Sequence, residues 1–280
     1  MHKKIWSTAY TMICIGSLFS CEDSSIQSES NTRIDSSYTS VQNPTSAKED
    51  TLVQGTLKLY PLRSSPLFED AILNLNSPNE GGLFKTNVVN FNYDIKNFEL
   101  TAPTLKGECV GECANSLNGQ HIHLILNNEP YQAKYTTDFS DTLKDGHYVA
   151  LSFLSRSYHE SIKHYDAYDL RQFTVGATKI KMDLTKPFLF YSRPKGEYKG
   201  KNARKILLDF YVVNAQLAAN DYKVRVTIND AVFILTNWEA YIIEGLPIGS
   251  HRIKIELLDK NEQLVNSTFN STERTIVLSE

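Results

Sequence analysis

Cysteine, long hydrophobic runs and catalytic motifs are scarce or missing in this sequence. Only four of the 280 residues are cysteine, too few for the disulfide-rich scaffolds of small secreted domains. No Gly-x-Ser-x-Gly elbow, phosphate-binding loop or His-Glu-x-x-His zinc motif occurs. The sequence therefore favours a non-catalytic protein, and a hydrolase is the least favoured hypothesis.

An excess of positive charge is also missing. The chain has 29 Lys and Arg against 32 Asp and Glu, a net charge of -3. A nucleic-acid-binding protein would carry a basic surface, so no nucleic-acid partner is expected. No segment shows a sustained 3.6-residue amphipathic period, which argues against a helical fold.

The N-terminus has the pattern of a secretion signal. Lys3 and Lys4 precede an apolar stretch over about 5–19, which is shorter than the ~20 residues that span a bilayer. The stretch ends in Leu-Phe-Ser-Cys at 18–21, which resembles a bacterial lipobox. The resemblance implies cleavage after residue 20 and acylation of Cys21, which would anchor the chain to a membrane. An ordinary signal peptide ending in Cys, or an uncleaved anchor, is the alternative.

The residues after Cys21 predict a tether. Residues 21–50 are rich in serine and polar side chains, so they cannot bury enough surface to offset the entropy of ordering. Glu22 and Asp23 resemble the acidic export signal of surface lipoproteins in Bacteroidota, and acidic residues also occur in periplasmic retention signals. We therefore expect an outer-membrane lipoprotein whose body lies at the cell surface or on the periplasmic side.

Alternating residues dominate the rest of the chain. Val224, Val226 and Ile228 alternate with polar residues, as do Ile253 and Ile255, a period typical of half-buried antiparallel strands. The chain also contains 15 Tyr and 13 Phe, and aromatic residues favour strands. An all-β fold is predicted.

Two halves of the chain resemble each other. Three pairs of segments align: 89–100 with 206–217, 121–128 with 223–230, and 143–151 with 246–255. Short strands with regular turns suggest sandwiches, so we predict two tandem immunoglobulin-like β-sandwich domains. They are placed at 51–192 and 202–280, joined near 192–201, with 51–76 adding edge strands to the first domain.

The first half has an insertion, Thr101–Gln120, that the second half lacks. It contains Cys109 and Cys113, and a disulfide between them is the default in an oxidising envelope compartment. The alternative is a pair of thiolate metal ligands. Loops that depart from a shared scaffold often carry function.

Two histidines follow the insertion in a strand-like segment. His121 and His123 lie two residues apart, so they share one face of a strand, and Ile122 and Leu124 take the core-facing positions. We expect both histidines to face solvent. With Cys109 and Cys113 they would form a copper or zinc site; the simpler alternative is a solvated histidine pair.

A polar loop is predicted at 155–164. Arg156, Ser157, His159 and Lys163 could bind phosphate or carboxylate by charge-assisted hydrogen bonds. The alternative is a polar turn without a ligand.

Four distinctive runs, at 115–131, 153–163, 190–198 and 208–214, resemble a family of Bacteroidota envelope proteins often labelled phosphopeptide-binding. The resemblance covers about 87 to 278 and implies a phosphorylated or otherwise anionic peptide ligand. The His-Ile-His strand is also similar to immunoglobulin-like domains of secreted bacterial proteins with a Gly-x-His-x-His strand.

These observations predict a non-catalytic, lipid-anchored envelope protein that binds a peptide, protein or glycan and needs no cofactor. The alternative function is copper or zinc binding through the His-x-His strand and the Cys-x-x-x-Cys insertion.

Overall fold

Strands account for most of the regular structure in residues 50–177 and 180–280, the part of the chain that the computed structural model describes. Two 3₁₀ helices, Tyr165–Ala167 and Gly200–Ala203, accompany them. The strands are β1 Leu52–Gln54, β2 Leu57–Pro61, β3 Ile72–Ser77, β4 Gly82–Phe84, β5 Val88–Lys96, β6 His121–Leu126, β7 Gln132–Lys134, β8 Asp138–Thr142, β9 Gly146–Ser155, β10 Tyr168–Val175, β11 Phe188–Arg193, β12 Gly196–Lys199, β13 Lys205–Val213, β14 Lys223–Ile228, β15 Ala231–Leu235, β16 Tyr241–Glu244, β17 Gly249–Leu258 and β18 Thr272–Ser279.

These strands form two β-sandwiches. The N-sandwich packs sheet β3-β5-β8 on sheet β4-β10-β9-β6-β7, and the C-sandwich packs sheet β1-β2-β16-β13-β11 on sheet β12-β18-β17-β14-β15. Each encloses its own apolar core, which contains Phe91 and Phe173 in the first and Phe210 and Ile255 in the second. The predicted all-β fold with two sandwiches is confirmed.

The internal repeat is visible in the topology. The larger N-sandwich sheet and the β12-containing sheet have the same strand order, and each has one parallel edge pair, β4 with β10 and β12 with β18. The aligned segments correspond to β5 with β13, β6 with β14, and β9 with β17. Asn97 and Asn214, which the alignment matched, both take a left-handed backbone conformation at φ 54° and 56°.

The boundaries between the sandwiches differ from those predicted. Strands β1 and β2 were expected in the first domain, but β2 pairs with β16 and extends the C-sandwich. Strand β11 pairs with β13, so the segment 188–192 belongs to the C-sandwich as well. The chain therefore passes from the N-sandwich to the C-sandwich after β10 ends at Val175 and before β11 begins at Phe188, and not at 192–201.

A third apolar cluster joins the two sandwiches. It is formed by side chains of β6 and β9 on one side and of β11 and β13 on the other, including Phe153, Phe190 and Tyr211. We call it the junction cluster. The sheet that carries β6 and β9 is therefore buried on both faces.

The predicted signal peptide 1–20, the anchor Cys21 and the tether up to residue 49 lie outside the described residues. Within residues 50–177 and 180–280, no helix has the length and apolar composition needed to cross a membrane.

Candidate metal site

His121 and His123 lie on β6 and face the junction cluster. The predicted alternation is correct, because Ile122 and Leu124 point into the N-sandwich core. The predicted solvent exposure is wrong, because both imidazole-bearing residues have 0% of their surface exposed. The C-sandwich covers the face that the sequence pattern assigned to water.

His159 joins them from the loop after β9. The loop turns back on itself, with the His159 amide donating to the Arg156 carbonyl. His159 has φ 70°, a left-handed conformation that is uncommon outside glycine and is often found at functional sites. This turn brings the third imidazole over the end of β6.

The nitrogens of the three rings converge. His121 Nε2 lies 2.9 Å from His123 Nε2 and 3.1 Å from His159 Nδ1. One nitrogen of each ring can be chosen so that all three lie within 4.8 Å of one another. Ligand nitrogens of a tetrahedral ion are separated by roughly 3.3 Å, given metal–nitrogen bonds of ~2.0–2.1 Å. The two shorter separations are within a few tenths of an ångström of this value. The remaining pair of nitrogens, up to 4.8 Å apart, would have to close by up to about 1.5 Å to hold an ion.

The tautomer of His121 is set by the backbone. Its Nδ1 lies 2.8 Å from the Gly119 carbonyl oxygen, which only accepts, so Nδ1 carries the proton and Nε2 presents a lone pair to the other rings. A backbone carbonyl in this position is the usual partner of a metal-binding histidine. Gly119 is required here: its φ is 79°, and a Cβ would lie 2.2 Å from the Thr101 carbonyl oxygen.

Burial keeps the three imidazoles neutral. Burial lowers the pKa of His121 to about 4. Burial also holds the pKa values of His123 and His159 well below the usual range, and the charges of Arg193 and Lys195 act in the same direction. Neutral imidazole is the form that binds metal ions.

Tyr131 forms one wall of the cluster. Its ring stacks on His123 with centroids 3.6 Å apart and 9° between planes, and its hydroxyl lies 3.2 Å from His159 Nδ1. The Lys195 ammonium lies 3.7 Å from the centre of the same ring, and the Arg193 guanidinium carbon lies 5.3 Å from it. Ser192 completes the surroundings, with its Oγ 3.3 Å from His123 Nδ1.

The two cysteines lie elsewhere. Cys109 and Cys113 form a disulfide and are buried in an apolar cluster with Leu207 and Ile242 of the C-sandwich. Neither belongs to the three-histidine group, so the predicted set of two histidines and two cysteines is replaced by three histidines. The insertion is fixed to the C-sandwich by the disulfide-bearing turn and by an ion pair between Lys205 and Glu112 at 3.3 Å.

The charged side chains of the polar loop at 155–164 are bound to other groups of the protein. Arg156 donates to the carbonyl oxygens of Pro66 and Ser161, and Lys163 pairs with the buried carboxylate of Asp209. An anion at Arg156 or Lys163 would have to replace these partners. The two side chains line a cavity of about 270 Å³.

Ser157 connects this loop to the insertion. Its Oγ accepts from the Thr104 amide at 3.2 Å, and its carbonyl accepts from the Ser116 amide at 2.8 Å. Insertion and loop thus meet at the same end of the N-sandwich, beside the histidines. The sequence placed His159 in the loop as an anion ligand and did not pair it with His121, because a loop residue carries no periodic signal that would reveal a contact with a strand.

Comparison with known proteins adds only distant structural likenesses. No protein-family model and no curated protein matches the chain. Among solved structures, fibronectin(III)-like modules of Clostridium thermocellum CbhA are similar at 12% identity and a TM-score of 0.26, over 74% of this chain and 94% of theirs. SGBP-B of the Bacteroides ovatus mixed-linkage glucan utilization locus, in complex with a mixed-linkage heptasaccharide, is similar at 9% identity and a TM-score of 0.22, over 74% of this chain and 47% of that one. The central fibronectin-III array of RIM-binding protein is similar at 10% identity and a TM-score of 0.25, over 79% of this chain and 69% of that one.

Proposed function

We propose that this chain is a non-catalytic, lipid-anchored envelope protein that binds one transition-metal ion through His121, His123 and His159. The convergence of three neutral imidazoles in a buried junction is the observation that carries the proposal. The lipobox-like segment ending at Cys21 supports the anchor.

Cys21→Ala would abolish incorporation of labelled fatty acid, and persistent labelling would refute the anchor.

The protonation pattern supports metal uptake without an added base. Because His121 Nε2 carries a lone pair, it accepts a hydrogen bond, and His123 Nε2 at 2.9 Å is the nearest ring nitrogen that can donate one. His123 in its other tautomer would carry the proton on Nδ1 and donate it in a hydrogen bond to Ser192 Oγ at 3.3 Å. In that tautomer all three nitrogens would present lone pairs, and the net protonation of the cluster would be unchanged.

Imidazole ligands narrow the choice of ion. Nitrogen sites suit zinc and copper, whereas calcium and magnesium prefer oxygen ligands. The three-histidine group contains no carboxylate. A peptide or glycan ligand stays a prediction, since Arg156 and Lys163 already have partners within the protein.

Metal analysis of the mature chain with Cys21→Ser, which cannot be acylated, tests the proposal. We expect one equivalent of copper or zinc per chain after loading, both with the Cys109–Cys113 disulfide intact and after its reduction. Absence of stoichiometric metal in both states would refute metal binding.

The residue-level test is His159→Asn, because asparagine tolerates the left-handed conformation and removes the imidazole. We expect affinity for the loaded ion to fall by roughly 100-fold or more, since loss of even an outer partner of a ligand costs about 10–100-fold. His164→Ala is the matched control, since His164 lies on the same loop and its ring contacts the Phe68 carbonyl instead. Equal affinities for His159→Asn and the parent protein would exclude His159 as a ligand.

A further inference from the structure

The proposed ligands carry no negative charge. An imidazole ligand is uncharged, and the three-histidine group contains no carboxylate or thiolate. Structural and catalytic zinc sites often use anionic cysteine or carboxylate ligands that offset the metal charge. Here the charge of a bound ion would be left uncompensated by its ligands.

Two cations stand beside this ligand set. Lys195 and Arg193 both contact the Tyr131 ring, which itself stacks on His123. Lys195 Nζ donates to the Tyr131 carbonyl at 2.6 Å, and Arg193 donates to the Tyr198 hydroxyl at 2.9 Å. Within residues 50–177 and 180–280, neither forms a salt bridge with a carboxylate. Both positive charges therefore act on the site.

The charge on Lys195 persists at neutral pH. Burial, together with the neighbouring Arg193, lowers the pKa of Lys195 only to about 8. Arg193 is itself buried, and its Nε has no hydrogen-bond partner in the described protein. Coulomb repulsion is proportional to the charge of the ion, so these two cations oppose a divalent ion twice as strongly as a monovalent one.

The number of available ligands also favours Cu(I) over Zn(II). Zn(II) in proteins is almost always four-coordinate, whereas Cu(I) is stable with three ligands. The cluster offers three imidazole nitrogens and no cysteine or carboxylate. A Zn(II) ion there would need a fourth ligand from outside the three histidines, whereas a Cu(I) ion would not.

We propose that the site selects Cu(I) over Zn(II), with Lys195 and Arg193 as the residues that set this preference through their charge. The inference rests on the proposed metal site. It assigns to these two residues a role in specificity and not in ligation.

Two affinities of the mature Cys21→Ser protein test the selectivity at pH 7. Cu(I) would be measured anaerobically in competition with a chromogenic cuprous chelator, and Zn(II) in competition with a fluorescent zinc chelator. We expect Cu(I) to bind at least about 100-fold more tightly, given the repulsion by two nearby cations. Zn(II) binding as tightly as Cu(I) would overturn the selectivity while leaving the metal site itself in place; binding of neither ion would overturn both.

Lys195→Met tests the cause, because methionine keeps an unbranched apolar side chain and removes the charge. Lys195 is only partly buried, so we expect modest gains of roughly threefold for Cu(I) and roughly tenfold for Zn(II), the logarithm for the divalent ion being twice that for the monovalent one. Lys199→Met is the control, since Lys199 has 71% of its side chain exposed and pairs with Glu197. Equal changes in affinity for the two ions, or no change for either, would show that the charge of Lys195 does not set the preference for Cu(I).

Discussion

At the scale of single residues, the proposed metal binding depends on which nitrogen of His123 carries the proton. The Gly119 carbonyl fixes the tautomer of His121, and Ser192 offers His123 an alternative place for its proton. His159 supplies the third nitrogen from a left-handed turn. The site thus depends on one backbone carbonyl, one hydroxyl and one uncommon backbone conformation, none of which is itself a ligand.

The disulfide belongs to the residue scale as well, and we expect it to contribute stability and not metal binding. Replacing Cys109 and Cys113 together by serine should lower the free energy of unfolding by about 2 kcal/mol, the value for closing so short a loop. Metal stoichiometry should be unchanged, because neither sulfur belongs to the histidine group. Chemical denaturation and metal analysis of the double variant measure both, and a variant that folds but loses its metal would contradict this division of roles.

At the scale of elements, the first two strands belong to a sheet whose other strands are distant in the sequence. Strand β2 pairs with β16, almost two hundred residues later, and buries Leu57 and Leu59 in the C-sandwich core. The first two strands thereby complete the sandwich that is otherwise built from β11 to β18. Alternation within 57–61 identifies a strand but contains no information about its partner, which is why the sequence placed it in the first domain.

A substitution at Leu59 tests how much the packing of β2 contributes to the stability of the fold. Leu59→Ala should lower the free energy of unfolding by about 2–5 kcal/mol, the range for a buried leucine. Val53→Ala on the neighbouring β1 is the control, because Val53 is 59% exposed and surface changes are usually within ~0.5 kcal/mol. Similar losses for the two variants in urea denaturation would show that β2 does not pack as described.

The insertion and the loop after β9 are the other elements that the repeat helps to interpret. The repeat predicted where the two halves diverge, and the insertion does lie beside the three histidines through its contacts with Ser157. Parity on β6 was also predicted correctly. The alternation could not predict that the C-sandwich covers the second face of β6. A period of two distinguishes the two faces of a strand, but it does not say whether the second face meets water or protein.

At the scale of the whole molecule, the junction cluster makes the described body one unit. Residues 50–177 and 180–280 all belong to one compact unit, and Phe153, Phe190 and Tyr211 pack across the sandwiches. Interfaces between independent domains are usually more polar. The three histidines of the proposed metal site lie at this junction, and Ser192 on β11 and Lys195 just after it approach them from the C-sandwich side.

Unfolding should therefore be cooperative across the two sandwiches. Trp238 packs against the cores of the junction and the C-sandwich, so its fluorescence reports on that region, while far-ultraviolet circular dichroism reports on all strands. We expect the two signals to give coincident transitions in urea. Two separated transitions would show that the sandwiches unfold independently and that the junction is weaker than its packing indicates.

Metal binding at the junction is the central claim, and anomalous diffraction at the copper edge tests it most directly. Crystals of the mature Cys21→Ser protein, loaded anaerobically with one equivalent of Cu(I), should show one strong peak about 2.0 Å from nitrogens of His121, His123 and His159, as expected for metal–imidazole bonds. No peak among these three rings, or a peak only at other side chains, would contradict the account.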